Sequence, residues 1–240
     1  MRLKTNLHLH SKEDEYDVLN YSIFQAIDRA AELGYEVLAW TPHRRVLCRP
    51  EHIEYAKGKG IILFPGIEAK IGGREVLLID CGPEVEKIKT FPQLREYKKA
   101  HSELLVVAPH PFFPAKTVLA EKLEENIDLF DAIELSWFHT RDIDFNAVAA
   151  KIAAKHGKPF IATSDTHRLD CLERSYAFVE SEKEPEAVKT AIRAGRVDNF
   201  SKPITLVQAA VFMLWLNWRP KTIVWKVIKK FKRAFKRLGR

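Results

Sequence analysis

Residues 3–10 read LKTNLHLH, a short apolar run that ends in two histidines separated by one residue. Side chains alternate between the two faces of a strand, so His8 and His10 point to the same side and can bind one ion together. Similar short runs precede four further motifs, which are Thr-Pro-His at 41–43, Gly-Ile-Glu at 66–68, Pro-His-Pro at 109–111 and Ser-Asp-Thr-His at 164–167. Histidines and carboxylates therefore recur where strands are predicted to end, which indicates a metal site.

The segments around these motifs alternate between strand-like and helix-like patterns, as expected of a fold built from βα units. The predicted strands are 37–40, 61–64, 76–79, 104–108, 132–135, 160–162 and 176–179, and the predicted helices are 21–33, 51–57, 91–100, 117–125, 145–155 and 185–194. An open sheet would concentrate its function at one switch point, whereas here ligands follow at least five strands. A closed barrel brings all its strand ends to one face, so the pattern favours an α/β barrel.

The composition fits one large domain followed by a basic tail. The chain has 240 residues, and its formal charge is +7. Eleven Lys and Arg residues follow Asp198, and no acidic residue does. Subtracting these eleven charges from +7 leaves a net charge of −4 for residues 1–198. The three cysteines form no CxxC pair, which argues against a disulfide framework and fits a cytoplasmic protein. We find neither a signal peptide nor an apolar run of about 18 residues.

The motifs HxH, T-x-H, G-x-E, HP and SDxH resemble, in this order, those of the PHP (polymerase and histidinol phosphatase) domain proteins. The resemblance covers roughly residues 3–167, with a looser match through 204–216. It implies a distorted (β/α)7 TIM-like barrel over residues 1–203 and a C-terminal helical extension over 204–240. It also implies a stand-alone enzyme with two or three clustered metal ions, most often a phosphoesterase.

The same resemblance implies a role for each motif residue. The implied ligands are His8, His10, Glu68 and Asp165 for a first ion, Glu68 as a bridge with His110 for a second ion, and His43, His167 and either Asp14 or Asp17 for a third ion. Imidazoles mixed with carboxylates independently suit zinc, manganese or iron. A bridging carboxylate suits ions that lie about 3.5–4 Å apart.

The second ion is the weakest part of this set. PHP proteins commonly carry a further histidine shortly after the G-x-E motif, but residues 72–80 offer only Glu75 or Asp80 there. His139, in the loop after the strand at 132–135, is an alternative ligand. The histidines at 52, 101 and 156 are expected on helix surfaces or ends, away from the metal.

The resemblance implies hydrolysis of a phosphate ester by attack of a metal-bound hydroxide, with Glu68, His110 and Asp165 as catalytic residues. Arginine can bind a phosphate through two hydrogen bonds, and four arginines lie next to ligand positions: Arg44, Arg45, Arg141 and Arg168. They are either phosphate contacts or solvated loop charges. A small phosphorylated metabolite or a nucleotide is the expected substrate, and a phosphodiester in nucleic acid is the alternative.

Residues 219–240 form a predicted basic amphipathic helix. Apolar residues recur there at helical spacing and lysines or arginines fill the opposite face. Such a helix lies on anionic membranes, so we predict a cytoplasmic protein that can be peripheral to the membrane. A helix docked on the barrel and a nucleic-acid contact are the alternatives. A barrel without catalytic activity, recruited to a membrane or RNA by this tail, is the corresponding alternative function.

Overall fold

The computed structural model describes residues 1–218, which form an α/β barrel with a C-terminal helix. The predicted basic helix at 219–240 lies outside the described residues. Within the described part, none of the helices has the length and apolar character needed to cross a membrane.

The described residues contain nine strands, which are β1 (Arg2–Leu9), β2 (Val37–Trp40), β3 (Ile62–Ile71), β4 (Arg74–Ile79), β5 (Leu105–Ala108), β6 (Ala132–Ser136), β7 (Phe160–Thr163), β8 (Ser175–Glu180) and β9 (Val197–Ser201). They form a single sheet in the order β7-β6-β5-β4-β3-β2-β1-β8-β9. The pairs β1–β2, β2–β3, β5–β6 and β6–β7 are parallel. Strand β4 is antiparallel to both of its neighbours, and β8 and β9 form an antiparallel pair beside β1.

Strand β1 closes the barrel because, along the edge opposite β2, its two halves have different partners. Its first residues pair with β8, whereas its end meets the segment that follows β7. There the backbone of Thr166 donates to His8 O at 3.2 Å and accepts from His10 N at 3.3 Å. The Ser164 backbone N–H also donates to Asn6 Oδ1 at 2.9 Å. Strands β1 to β7 therefore form a nearly closed ring, which confirms the predicted distorted barrel.

The hairpin β3–β4 departs from the predicted alternation of strands and helices. The first part of β3 pairs with β2 and its second part pairs with β4. The two strands are joined by Gly72 and Gly73, whose φ angles of 56° and 83° give the two-residue turn that glycine favours. As a result β3 runs on past its predicted end at residue 64, and Glu68 lies within the strand rather than after it.

Helices follow most of the other strands, close to their predicted positions. In the first helix, Ser22 and Gln25 form a capping box, and Ile23, Ala26 and Ile27 turn inward to the core. The predicted helix at 117–125 is shorter, since only its last five residues are helical. The helices are α1 (Ile23–Glu32), α2 (Pro50–Gly58), α3 (Phe91–Ala100), α4 (Glu121–Glu125), α5 (Asn146–Lys155), α6 (Pro185–Arg193) and α7 (Leu206–Trp218).

Helix α7 packs on the rim of the barrel next to the end of β6. The Ile204 backbone N–H donates to His139 O at 2.9 Å and fixes the segment before the helix. The Phe212 ring then lies 5.0 Å from the Trp137 ring and 5.3 Å from the Phe138 ring, measured between centroids. The boundary predicted between a barrel over 1–203 and an extension over 204–240 remains a prediction.

Asn6→Ala is predicted to lower the free energy of unfolding by about 2 kcal/mol, because it leaves the buried Ser164 N–H without its acceptor. Chemical denaturation of the metal-free protein measures this change. Gln93→Ala is the matched control, since the Gln93 side chain also accepts backbone N–H groups, from Lys89 and Thr90, but all three residues are exposed to water, which replaces the lost bonds. Equal losses in the two variants would contradict the importance of the Asn6 contact.

Candidate metal centre

The predicted ligands from β1, β2, β3, β5 and β7 converge at one end of the barrel. Their nitrogen and oxygen atoms form three groups in which all ligand atoms lie within 4.8 Å of one another. The groups are His8, His10 and Asp165; His8, Glu68 and His110; and His10, Asp14, Asp17 and His43. Shared members make these groups a single cluster at the strand ends.

The first group, together with Glu68, is spaced closely enough to share one ion. His8 Nε2 and His10 Nε2 are 3.0 Å apart, and each lies 3.4 Å from Asp165 Oδ1. Glu68 Oε2 lies 3.7 Å from the His8 nitrogen and 3.6 Å from the His10 nitrogen. Ligands at 2.0–2.2 Å from a tetrahedral ion lie about 3.3–3.6 Å from one another. The five distances scatter around that range, so these donor atoms are placed where they can serve the ion that the resemblance implies.

The carboxylate of Glu68 faces two different sets of imidazoles. Its Oε1 lies 3.2 Å from His110 Nε2. Its Oε2 faces His8 and His10 and also lies 3.0 Å from His43 Nε2. Only 3% of Glu68 is exposed, so its charge must be balanced by these neighbours or by cations. An arrangement with a separate partner set for each oxygen suits a carboxylate that bridges two ions.

Both acids of the loop after β1 reach the cluster. Asp14 Oδ2 lies 2.7 Å from His43 Nδ1 and 3.5 Å from His10 Nδ1, and it also accepts the His43 backbone N–H at 2.8 Å. Asp17 Oδ2 lies 2.7 Å from His167 Nε2 and 3.8 Å from His43 Nδ1. Each of the two acids predicted as alternatives therefore faces a different histidine, and which of them is a ligand remains a prediction.

Glu134, on β6, was missed by the sequence analysis. It is fully buried, and its Oε2 lies 2.9 Å from His8 Nδ1. A carboxylate on the far nitrogen of a histidine fixes the ring and leaves the other nitrogen directed at a metal. The available signal was an acid inside an otherwise apolar strand, since such a residue is seldom fully buried unless it is paired.

Glu75 and Asp80, the two acids considered for the second ion, lie in different places. Glu75 lines the same cavity as Glu68 and His110. Burial and the nearby charge of Glu68 raise the pKa of the Glu75 carboxyl. Asp80 instead pairs with the buried ammonium group of Lys189, outside this cavity. Of the two acids, only Glu75 is placed where it can serve the second ion.

The remaining predicted site residues lie outside the three ligand groups. His139 Nε2 faces Ser201 Oγ at 2.8 Å, so the structure does not bring this histidine to the cluster. Arg168 forms two hydrogen bonds with Asp170, and the Arg44 guanidinium stacks on the Tyr16 ring. Arg45 and Arg141 have exposed side chains. Their proposed contact with phosphate remains a prediction.

The charges in the cluster stabilise one another. Burial by itself would lower the pKa of His8, but the nearby carboxylates of Asp165, Glu134 and Glu68 raise it well above its ordinary value. Burial likewise opposes ionisation of Glu68, yet His43 and His8 hold its pKa well below the usual range. For His110, burial acts to lower the pKa, but the hydrogen bond to Glu68 together with the charges of Glu134, Asp165 and Glu68 raises it to about 9. The carboxylates of the cluster therefore favour protonated rings at His8 and His110.

Two of the predicted catalytic residues have a strained backbone. The φ angles of His110 and Asp165 are 25° and 40°, in a region that residues with a Cβ atom seldom adopt. Such strain costs about 1–3 kcal/mol and tends to occur at functional sites, where the surrounding structure enforces it. Here it lies at the ends of β5 and β7 and turns both side chains into the cluster.

A cavity of about 160 Å³ opens onto the cluster and has one polar and one aromatic side. The polar side consists of the ligand residues, including Glu68, His110, Asp165 and His167. Phe113, Trp137, Phe138 and Phe212 supply the aromatic side. We call this space the metal cavity, and its aromatic walls limit the access of water to the polar groups.

The comparisons with known proteins agree with this architecture. A family model described as PHP-associated matches residues 144–197, a segment that includes Asp165 and His167. No curated protein matches the sequence. Among solved structures, a two-domain protein from Bacteroides vulgatus, which contains a predicted PHP-like metal-dependent phosphoesterase, has a TM-score of 0.66 to this chain at 19% identity. That alignment covers 84% of this chain and 65% of the other, just under two thirds.

Two further structures share the fold. PsfC from Pseudomonas syringae has a TM-score of 0.61 at 13% identity, with 92% of this chain and 99% of the other covered. A lesion-specific endonuclease from Pyrococcus furiosus has a TM-score of 0.55 at 18% identity, with 90% and 66% covered. The chain therefore has the PHP-like fold and carries the PHP-associated segment, which confirms the family resemblance seen in its motifs.

Proposed function

We propose that the protein is a metal-dependent phosphoesterase that hydrolyses the phosphate monoester of a small metabolite or nucleotide. The observation that carries this proposal is the position of Glu68, with one oxygen toward His110 and the other toward His8, His10 and His43. This arrangement suits clustered cations, and clustered cations suit displacement at phosphorus.

The residues that would hold the ions are those that the family resemblance implies, and they lie in or beside the three groups. The first ion would take His8, His10, Glu68 and Asp165, and the second would take Glu68 and His110 with Glu75 as an added candidate. The third would lie among His43, His167, Asp14 and Asp17. When bound, divalent ions lower the pKa of water and neutralise charge on phosphoryl oxygens. Zinc, manganese and iron all suit this donor set.

The chain itself orients these donors. Glu134 accepts the His8 Nδ1 proton and so leaves Nε2 facing Asp165 and Glu68. Asp14 holds His43 in the same way, by accepting both its backbone N–H and its Nδ1 proton. These contacts are made before any ion binds, so less ordering is needed when one does. His110, His43 and His167 are also the candidates for protonating the leaving group, because each faces the metal cavity.

A nuclease is the second candidate function, favoured by the shared fold with the lesion-specific endonuclease. The body of this chain carries a net charge of −4, however, whereas nucleic-acid contacts depend on positive charge. A barrel without catalytic activity that the basic tail recruits to a membrane or RNA is the third candidate. The nearly complete set of donors around Glu68 favours catalysis over that alternative.

Glu68→Ala and Asp165→Ala are each predicted to lower the hydrolysis of 4-nitrophenyl phosphate by at least about a thousandfold, since bound ions supply several kcal/mol of transition-state stabilisation. Steady-state rates with added Mn²⁺ or Zn²⁺ measure the loss. His156→Ala is the control, because His156 pairs with Glu124 outside the cluster. Full activity in both cluster variants would disprove the site, and a phosphodiester used at a higher rate would favour the nuclease.

Glu134→Gln is predicted to weaken metal binding about 10–100-fold, because the amide holds the His8 ring less strongly than a carboxylate does. Competition with a metal chelator measures the affinity. Glu124→Gln is the matched control, since Glu124 forms the same kind of pair with His156 at 2.8 Å but outside the cluster. The hypothesis fails if the two substitutions have the same effect.

Metal binding is predicted to release protons at neutral pH. The pKa of His110 is raised from 6.5 to about 9, so an ion must displace a proton from this ring below that pH. As the pH rises from 6.5 toward 9, less of the ring is protonated and the affinity for Mn²⁺ increases. Calorimetry in two buffers with different heats of ionisation counts the released protons. An affinity independent of pH would contradict the assignment of His110 as a ligand.

A further inference from the structure

A second cavity, of about 430 Å³, adjoins the metal cavity between helix α7 and the loop after β7. We call it the α7 cleft. Three residues, Trp137, His167 and Phe212, line both spaces. A molecule whose phosphate lies in the metal cavity can therefore extend past these side chains into the α7 cleft. The volume is in the range of pockets that bind small molecules, about 300–1,000 Å³.

The α7 wall of the cleft is mostly apolar and faces water; its polar member, Gln208, accepts a hydrogen bond from Thr205 N at 2.9 Å. Val207 and Val211 lie one helical turn apart and line the cleft, with 72% and 60% of their surface exposed. Ile204 and Phe212 continue the same wall toward the barrel. Covering such side chains with an apolar group is favourable by about 25 cal/mol for each Å² removed from water. A polar sugar or a second phosphate would gain little from this wall.

The opposite wall carries charges that already pair with one another. Asp170 accepts two hydrogen bonds from Arg168 at 3.0 and 3.1 Å, and it lies 3.5 Å from Arg174. Asp170 offsets the charge of both guanidinium groups, and the hydrocarbon stems of Arg168 and Arg174 can cover an apolar ligand. Both walls of the cleft can therefore contact an apolar group, while the residues that would hold cations for the phosphate line the metal cavity.

We propose that the α7 cleft binds the organic part of the phosphate ester, and that this part is apolar, either an aromatic ring system or an alkyl chain. The inference rests on the proposed function for the position of the phosphate. It adds a substrate class, a phosphate monoester with an apolar organic group, and a specificity-determining surface on α7.

The test compares three esters with the full-length, Mn²⁺-loaded protein: 1-naphthyl phosphate, dodecyl phosphate below its micelle concentration, and glycerol 2-phosphate. At least one apolar ester is expected to have a KM about tenfold or more below that of glycerol 2-phosphate. Which of the two apolar esters has the lower KM shows whether the organic part is an aromatic ring or a chain. Equal KM values for all three esters would overturn the proposal.

Val211→Asp places a carboxylate in the apolar wall at an exposed position, where it should not disturb folding. It is expected to reduce the preference for the apolar ester about tenfold, because the ligand would have to remove water from the new charge. Val148→Asp is the matched control, the same substitution at a valine that is 47% exposed on α5 and lines neither cavity. An equal change of preference in both variants, or in neither, would overturn the assignment of the cleft.

Binding of the non-hydrolysable 1-naphthylmethyl and dodecyl phosphonates, measured by calorimetry, separates this proposal from the proposed function. If no ester is hydrolysed but a phosphonate binds and binding weakens in Val211→Asp alone, the cleft is confirmed and the phosphoesterase is not. If esters are hydrolysed without any apolar preference, the phosphoesterase stands and the cleft proposal fails.

Discussion

The buried carboxylate of Glu68 is the group on which the arrangement of the site depends. Four imidazoles surround it, and its own backbone is tied to the loop after β2, since Glu68 N donates to Pro42 O at 3.0 Å and Glu68 O accepts from Arg44 N at 2.9 Å. A charge in this position is costly unless positive charge surrounds it. The raised pKa values of His8, His43 and His110 place positive charge beside it, and bound cations would meet the same need.

The segment Ser-Asp-Thr-His at 164–167 combines closure of the barrel with the chemistry of the site. Alternation along the chain sends Ser164 and Thr166 inward, where both are buried and bond to Asn6 or to the β1 backbone. Asp165 and His167, which alternate with these two residues, then face the cluster. The strained φ of Asp165 is held by the hydrogen bonds on either side of it. Closure of the ring and placement of the ligands are thus parts of one local structure.

The sequence predicted the site best where the alternation of strands and helices alone decides which residues meet. Residues at the ends of parallel strands meet at one face of a barrel, so the cluster could be predicted without knowing how the strands pair. The direction of β4 could not be predicted, because the sequence of a short apolar strand is the same whether the strand pairs in parallel or antiparallel fashion. Pro65 and Gly66 read as the end of a strand, although β3 continues through them. β9 was missed because its sequence, VDNFS, is mostly polar and exposed.

Side-chain partners were harder to predict than strand positions. Glu134 acts through the far nitrogen of His8, a contact that depends on β6 lying close to β1 across the barrel rather than on any spacing in the sequence. Asp14 and Asp17 were treated as alternatives because one position was expected, whereas the loop after β1 places each beside a different histidine. In both cases the information is in the packing, which the linear pattern does not contain.

The small size of the metal cavity means that the residues that would hold the phosphate group and the residues that would select the rest of the substrate are different. A volume of about 160 Å³, lined on one side by ligand residues, is suited to a phosphate group and leaves little space for the group attached to it. Selectivity for the organic part must then come from side chains beyond the ligands. Phe212 is such a residue, since it belongs to α7 and yet lines the metal cavity. In this barrel the ligand cluster and the rim segment that would select the substrate are therefore different parts of the chain.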